Sequence, residues 1–585
     1  MMRAPTRKAA ARGLAFSASP VLAVKLPAWR SRLALFLLFS AFVVVAVRAF
    51  WLQAMSTDFL QRQGAYRYAR TLELPAVRGK ITDRYGEVMA SSLPVKAIWA
   101  IPEDVEADKD KLRQLAQLLD TPLSDINKKL ESDRSFVYLK RQVEEKTAEQ
   151  ILALNIKGIH TRNEYKRYYP SGHVAAHVLG FTNVEDIGQE GIERAQQKSL
   201  GGITGSRRVI KDKLGRVVED IGYIREPQDG TDLALSIDGK IQYIAFTELQ
   251  KAVDQHHAKA GAIVVLDVKT GEVLAMANLP TYNPNTRQGL TGAQLRNRVM
   301  TDTYEPGSTL KPFTVALALE RGLVTPTTML DTPAKISIGP ASIGDSHGHA
   351  ATMSVAQIIQ QSSNVGTVRM AMKCESREMW DMFTSVGFGQ VPRTGFPGEV
   401  AGRLRPYKTW RPIEQATMSY GHGISVSLIQ VARAYMIFAR NGEMIPLSFL
   451  KLTQPPVPQR IISDRTAQQM RVMMEKVVGP GGTAPLAQVR GYRVAGKTGT
   501  AHKLEGGRYV NKYVASFVGF APISDPRIII AVMVDEPTAG GHFGGQVAAP
   551  VFSNVAASAL RAMNVPPDAS VEHVIMPTQM IPESM

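Results

Sequence analysis

Three short patterns in this 585-residue chain combine residue types able to support nucleophilic chemistry. Ser308 and Lys311 stand three apart in Glu305-Pro306-Gly307-Ser308-Thr309-Leu310-Lys311-Pro312-Phe313. If a helix begins at that serine, both side chains fall on one face, one turn apart. Pro312 is tolerated there, because the hydrogen bond it cannot donate belongs to the first turn. A serine hydroxyl is a weak nucleophile until a base takes its proton. A lysine amine can be that base where burial or nearby cations favour its neutral form. Ser362-Ser363-Asn364 adds a hydroxyl to relay the proton and an amide to hold a substrate amide. Lys497-Thr498-Gly499-Thr500 adds a cation and two hydroxyls suited to a substrate carboxylate. The backbone amides of Ser308 and Thr500 would complete an oxyanion hole, worth ~100- to 1000-fold in rate per donor.

Each pattern alone is weak, and the chain holds copies that do no such work. Ser448 and Lys451 repeat the serine–lysine spacing, and Lys269-Thr270-Gly271 falls where a hairpin needs its turn. Taken singly, Ser308 reads as a helix cap beside a solvated lysine, and Ser362 to Asn364 as helix-end capping. The three patterns together, in this order, carry the catalytic reading. Glu305 is read as first-turn charge, and Arg78, Asp83 and Arg84 as a structural ion-pair cluster. His422 and His542 are read as structural or exposed, without a role.

These residues need elements to hold them. Leu233 to Ile237 alternates as a strand, Gly239 to His256 reads as a helix, and 262–268 with 273–277 read as a hairpin. Residues 513–520 and 528–534 form two further strands, and 492–495 a strand leading into Lys497. Between them lie helical stretches at 353–374, 412–435 and 464–477. Strands at both ends with helices between predict an α+β domain, one antiparallel sheet flanked by a helical region. Upstream, 107–132 has helical periodicity broken at Thr121-Pro122, and 147–154 reads as a short helix. No nucleophile–base pattern occurs in 53–230, which reads as a spacer or docking module.

The basic excess, a formal charge of +17, is spread along the chain without a nucleic-acid motif, so nucleic acid is not an expected partner. Attraction to anionic membrane or cell-wall surfaces fits better. One cysteine, Cys374, excludes an intramolecular disulfide framework. Seven basic residues and no acid precede an apolar run from Leu33 to Leu52, interrupted only at Arg48. That pattern predicts an uncleaved signal anchor crossing once, the N-terminus cytoplasmic and the rest exported. A cleaved signal peptide is the weaker reading, since no clear small-x-small site follows.

With these motifs in place the chain resembles the penicillin-binding proteins and serine β-lactamases. Arg78-Gly79-Lys80-Ile81-Thr82-Asp83-Arg84, Gly188 to Glu193, Arg296-Asn297-Arg298 before Glu305, and Lys497 to Lys503 narrow it to the class B penicillin-binding proteins. Length and the short basic tail look most like the division-specific septal transpeptidases of Gram-negative bacteria. The resemblance implies an anchor at 33–52 after a tail at 1–32, and a pedestal of the dimerisation type at 53–230. A transpeptidase domain at 231–561 would follow; the short Pro- and Met-rich segment beyond it, 562–585, reads from its composition as a flexible tail. The resemblance implies that Ser308 is acylated by the D-Ala–D-Ala end of a peptidoglycan stem peptide, then released by an amine of a neighbouring strand. Lys311 would be the base, Ser362 the relay and Lys497 an electrostatic partner. Asn364, Thr498, Gly499 and Thr500 would bind substrate. No cofactor or metal is implied. β-Lactams would be inhibitors, and a SEDS-family glycan polymerase and other divisome proteins partners. Lateral-wall use, a carboxypeptidase, a β-lactamase and a non-catalytic divisome scaffold are the competing readings.

Overall fold

In the computed structural model, residues 27–55, 69–211, 217–345 and 350–570 are described. The chain divides into two compact units. The first comprises Met1–Leu74 with Thr204–Glu226. Its helix Ala28–Phe50 buries no residue, and Leu35, Phe36, Leu38 and Phe42 are all exposed. Ala28–Gln53, at 26 residues, is the one candidate membrane span among the described residues. At 1.5 Å per residue it is longer than the ~30 Å hydrocarbon layer. This helix begins about five residues before the apolar run read from the sequence, because Trp29 to Arg32 continue its first turns. The unit also holds a three-stranded antiparallel sheet, Ala69–Leu74, Gly205–Lys211 and Val217–Arg225. The basic tail before residue 27 lies outside the described residues.

The second unit, Pro75–Ile203 with Pro227–Met585, holds two further five-stranded sheets. One is built on the long strand Val88–Ala100, paired with Val137–Val143, Ile159–Tyr168 and Ile81–Thr82. Helices Lys109–Leu118 and Leu123–Leu130 flank the expected break at Thr121-Pro122 and close a small core around Leu115, Ile126 and Ile151. The strand expected at 233–237 shrinks to Leu233–Ala234 and pairs in parallel with Ile81–Thr82, in this sheet. Arg78, fully buried, donates through Nε to Glu193 Oε2 (2.6 Å) and through Nη2 to Glu193 O (2.8 Å). Arg167 Nε takes the other carboxylate oxygen at 2.7 Å. The expected Arg78–Asp83–Arg84 cluster therefore does not form. Asp83 accepts backbone N–H groups from Tyr85, Glu87 and Gly239, and Arg84 pairs with Glu272.

The other sheet is the expected antiparallel one. Helix α1 (Gly239–Gln255) leads into β1 (Ala260–Asp267) and β2 (Val273–Leu279). The helical region follows, with α2 (Lys311–Glu320), α3 (Val355–Gln361) and α4 (Asn364–Ala371) near its centre. The chain returns as β3 (Ala495–Glu505), β4 (Arg508–Ala521) and β5 (Ile528–Asp535), and ends in α5 (Ala549–Ala562). The strand order is β2-β1-β5-β4-β3, antiparallel throughout. Every residue of β1 and β2 is buried, so both strands read as apolar runs rather than as alternation. Burying each such Val, Leu or Ile side chain contributes about 1.5–3 kcal/mol. Helices α1 and α5 cover one face. Gly261 lets α1 come close, since a Cβ there would meet Val253 and Leu249 at 2.8 and 2.9 Å. Thus β3 is an edge strand, paired to β4 on one side only.

Two helical stretches are broken where the sequence suggested continuity. The first is interrupted at Ser362, between α3 and α4. The second ends at Met418, passes through Gly421 and Gly423 at positive φ, and resumes at Leu428. Residues 492–494 precede the β3 strand rather than belong to it. The C-terminal segment expected to be loose from 562 is held as far as Asp568. Tyr492 Oη donates to Val565 O (2.6 Å), and Asp568 accepts from Arg493 N and Ser524 N. Residues 571–585 lie outside the described residues.

Candidate active site

Ser308 sits in the single 3₁₀ turn Gly307–Leu310 that leads directly into α2, with Lys311 opening the α-helix. Ser308 is 3% exposed and Lys311 fully buried. The turn is held from three sides. Thr309 Oγ1 donates to Pro306 O (2.8 Å), Tyr435 Oη donates to Thr309 O (2.8 Å), and Gly307 N approaches Gly421 O (3.4 Å). The last contact explains the break at Gly421: a Cβ there would lie 2.2 Å from Gly307 O, and its φ of +92° suits only glycine.

Ser362 ends α3 in the left-handed conformation, φ 62° and ψ 40°. For a residue with a Cβ this costs about 1–2 kcal/mol, so the neighbourhood must impose it. Two anchors do. Ser354 caps the start of α3 in a capping box with Gln357, and Ser363 caps α4 by accepting from Gly366 N. Asp345 fixes the second cap: Oδ2 accepts from Ser363 Oγ (2.6 Å), and Oδ1 from Asn364 N (2.5 Å) and Val365 N (3.3 Å). A carboxylate at a helix N-terminus is the favourable sign for the dipole. The kink turns both the carbonyl and the hydroxyl of Ser362 towards α2. Lys311 Nζ donates to Ser362 O at 2.5 Å and lies 3.1 Å from Ser362 Oγ.

Lys497 reaches the same hydroxyl from the sheet. Its Nζ, fully buried, lies 2.9 Å from Ser362 Oγ, 3.2 Å from Thr498 Oγ1 and 3.4 Å from Thr498 O. Two buried amines therefore flank one serine oxygen, which joins the three sequence patterns. Thr498 Oγ1 is 2.9 Å from Thr483 Oγ1, and Thr500 Oγ1 accepts from Gly544 N (3.0 Å). Gly499 permits the contact between β3 and the Ser308 turn. A Cβ on it would meet Ser516 Oγ at 2.5 Å, Thr309 Cγ2 at 2.8 Å and Pro306 O at 3.0 Å. Asn364 is 2% exposed, with Nδ2 3.4 Å from Gly344 O. All eight candidate residues thus lie on the 3₁₀ turn before α2, the start of α2, the α3–α4 junction and β3, which converge. The two copies do not: Lys269-Thr270-Gly271 is the β1–β2 turn, and Lys451 Nζ donates to Arg84 O.

Around these eight the structure places residues to which the sequence reading assigned no part in the site. Glu305 accepts from Gly423 N (2.8 Å) and Tyr509 Oη (3.0 Å), and burial raises its pKa against those hydrogen bonds. It works as a polar anchor joining its own loop to the Gly423 loop and the start of β4, rather than as first-turn charge. His422 has its pKa held down to about 4 by burial, then by the Lys311 and His502 charges. The imidazole is therefore neutral beside the cluster. Tyr509 is pushed up by burial and by Glu305. His542 stacks on Tyr513 at 4.0 Å. Thr483 and Asp345 carry no local signal, since each matters only through a partner on another segment. Tyr420-Gly421-His422-Gly423, two glycines around a histidine, is the one pattern that could have flagged its neighbourhood.

The stretch that holds this serine, its two buried lysines and the sheet and helical region around them, residues 261–557, matches the penicillin-binding protein transpeptidase domain. The penicillin-binding protein dimerisation domain matches 73–235. The chain belongs to the class B penicillin-binding proteins, the serine-type transpeptidase family that carries both domains. It is 43% identical over 532 residues to the probable peptidoglycan D,D-transpeptidase PenA of Neisseria gonorrhoeae, covering 90% of this chain and 91% of that one. With the peptidoglycan D,D-transpeptidase FtsI of Escherichia coli K12 it shares 41% over 550 residues, 92% and 93% of the two chains. The apo transpeptidase domain of Burkholderia pseudomallei penicillin-binding protein 3 is 53% identical, with a TM-score of 0.53. It covers 57% of this chain and 98% of that one.

Proposed function

We propose that this chain is a peptidoglycan D,D-transpeptidase that cross-links stem peptides of the septal wall through an acyl-enzyme on Ser308. The observation that carries the reading is the shared hydroxyl, Ser362 Oγ, 3.1 Å from Lys311 Nζ and 2.9 Å from Lys497 Nζ. Two ammonium charges in so buried a place repel, and burial penalises each further. One amine is therefore favoured as the neutral base, and Lys311, on the helix turn after Ser308, is the one placed to take the serine proton. Ser362 then passes a proton between the amines and on to the leaving D-alanine amine. Lys497 stays charged and, with Thr498 and Thr500, receives the substrate carboxylate. Asn364 holds a substrate amide, and Gly499 keeps β3 against the serine turn. The free edge of β3 offers backbone groups for an extended peptide to pair with. Backbone N–H groups of Ser308 and Thr500 stabilise the oxyanion.

In the second half-reaction an amine from another stem peptide attacks the acyl carbonyl, and its proton returns through Ser362 to Ser308. Names and coverage of the relatives support this direction over a hydrolase. The relatives named FtsI support division rather than lateral-wall growth. The arrangement proposed is a cytoplasmic tail at 1–32, a single span at 33–52, a periplasmic pedestal at 53–230 and a transpeptidase domain at 231–561, with a C-terminal tail at 562–585. A SEDS-family polymerase and other divisome proteins would be partners of the anchor and pedestal, at the septum.

The test is covalent labelling of the detergent-solubilised chain with a fluorescent penicillin, followed over hours beside Ser308→Ala. Label that persists in wild type and is absent from Ser308→Ala is expected. Label lost within minutes would point to a β-lactamase. No label on folded wild type would leave a non-catalytic scaffold.

A further inference from the structure

Away from the active site, one cavity has a wall whose charge is unbalanced. It measures about 390 Å³ and opens where strand Ile159–Tyr168, the turn at Thr182 and Asn183, and the loop 284–288 meet. Its lining carries Lys166, Arg167 and Arg287 and no carboxylate. Two of these cations lie in the region matched by the dimerisation domain, and the third follows β2 in the transpeptidase domain.

Three of the nearby acids are held in ion pairs. Asp186 makes none among the described residues; burial raises its pKa to about 6 against the opposing charges of Arg78 and Arg167, and its Oδ1 is buried and unbonded. Glu193 is shared by Arg78 and Arg167, while Glu164 and Glu185 are both held by Arg141. Arg167 is 5% exposed; its Nε reaches Glu193 and its Nη1 Ser92 Oγ (3.1 Å), but its Nη2 is buried without a hydrogen-bond partner. An unmade hydrogen bond on a buried guanidinium is costly, which marks a place where an acceptor is missing. Arg287 donates to Thr182 O at 2.5 Å and lies over the Phe181 ring at 4.8 Å, and neither contact cancels its charge. Lys166 is exposed, and among the described residues it makes no ion pair.

We propose that this cavity is an oxyanion site for a phosphate or diphosphate group, and that its occupant clamps the pedestal to the transpeptidase domain. Arginine forks and a lysine point charge are the donors suited to phosphate oxygens. The volume admits a diphosphate with part of whatever it is attached to. Clamping follows from the position of Arg287, two residues beyond Asn285. The Asn285 side chain already joins the same loop to the pedestal, accepting from Tyr169 N (3.0 Å) and donating to Tyr169 O (2.9 Å). The site stands independently of the chemistry at Ser308.

The experiment is equilibrium dialysis of the full detergent-solubilised chain against radiolabelled pyrophosphate at constant ionic strength. Saturable binding of one equivalent is expected, with Lys166→Gln and Arg287→Gln each weakening it by about tenfold. Lys166→Gln changes an exposed side chain, so it reads the site even if Arg287→Gln disturbs folding, which a circular-dichroism melt reports. Displacement by micelles containing phosphatidylglycerol would identify a lipid headgroup as the source of the phosphate. Failure to displace would identify a soluble one. Binding that is not saturable, or that the double variant retains at full strength, would overturn the proposal.

Discussion

Replacing Gly499 by alanine adds one methyl group where β3 touches the turn carrying Ser308. Ordinary van der Waals contact begins at about 3.4 Å, and the new Cβ would stand 2.5 Å from Ser516 Oγ and 2.8 Å from Thr309 Cγ2. Relief therefore needs a movement of about 0.6 to 0.9 Å. Ser516 cannot turn away freely, because its hydroxyl donates to Gly499 O at 3.2 Å. The backbone is no softer, since Pro306 O would be 3.0 Å away. Overpacking of this kind costs about 1–3 kcal/mol in stability. The larger consequence is for chemistry, because a shift near 1 Å between reacting groups can cost ~100-fold in rate. We expect Gly499→Ala to be acylated by a fluorescent penicillin some 10- to 100-fold more slowly than wild type. Stopped-flow or quenched labelling of the solubilised chain gives that second-order constant, and a melt confirms folding. Acylation within twofold of wild type in a folded variant would refute the argument that β3 must approach Ser308 this closely.

Removing the shared hydroxyl with Ser362→Ala should slow acylation by ~100-fold or more while leaving the fold intact, the size expected for a lost proton relay. Ser362→Gly, which relieves the left-handed strain, should be as slow yet more stable, separating backbone from chemistry in the same labelling and melting assays. Glu193→Gln leaves Arg78 and Arg167 buried without their carboxylate and should destabilise by about 3–5 kcal/mol, read by denaturant unfolding. His177 and His422 each have pKa values held down to about 4, chiefly by burial, from an ordinary value of 6.5. Between those values the unfolded chain binds more protons than the folded one, so stability rises with pH across that window and falls on acidification. A melt series from pH 7 to pH 4 should show that loss, and His177→Gln should reduce it.

Much of the site was legible because it is local. A helix turn places Ser308 and Lys311 on one face whatever surrounds them, and Lys497 to Thr500 must lie along one strand if a strand forms. The hairpin of β1 and β2 and the final pair β4 and β5 were legible for a similar reason, since apolar runs broken by turn residues leave few alternatives. The N-terminal span follows from composition and length.

What local pattern could not supply was set by long-range contacts. The stretch 353–374 has no residue that forbids a continuous helix. It breaks because Asp345, from another segment, binds Ser363 and Asn364, while Lys311 binds the carbonyl that Ser362 exposes. The second break follows from the close approach of Gly421 to Gly307, a contact over more than a hundred residues. Arg78 was expected beside Asp83 and Arg84 and instead pairs with Glu193, because charge alone does not name the partner that burial selects. Sequence determined which groups are present and which turns hold them. Only tertiary structure brought two lysines from a helix and a strand onto one hydroxyl, because sheet pairing and core burial, not neighbouring residues, set that distance.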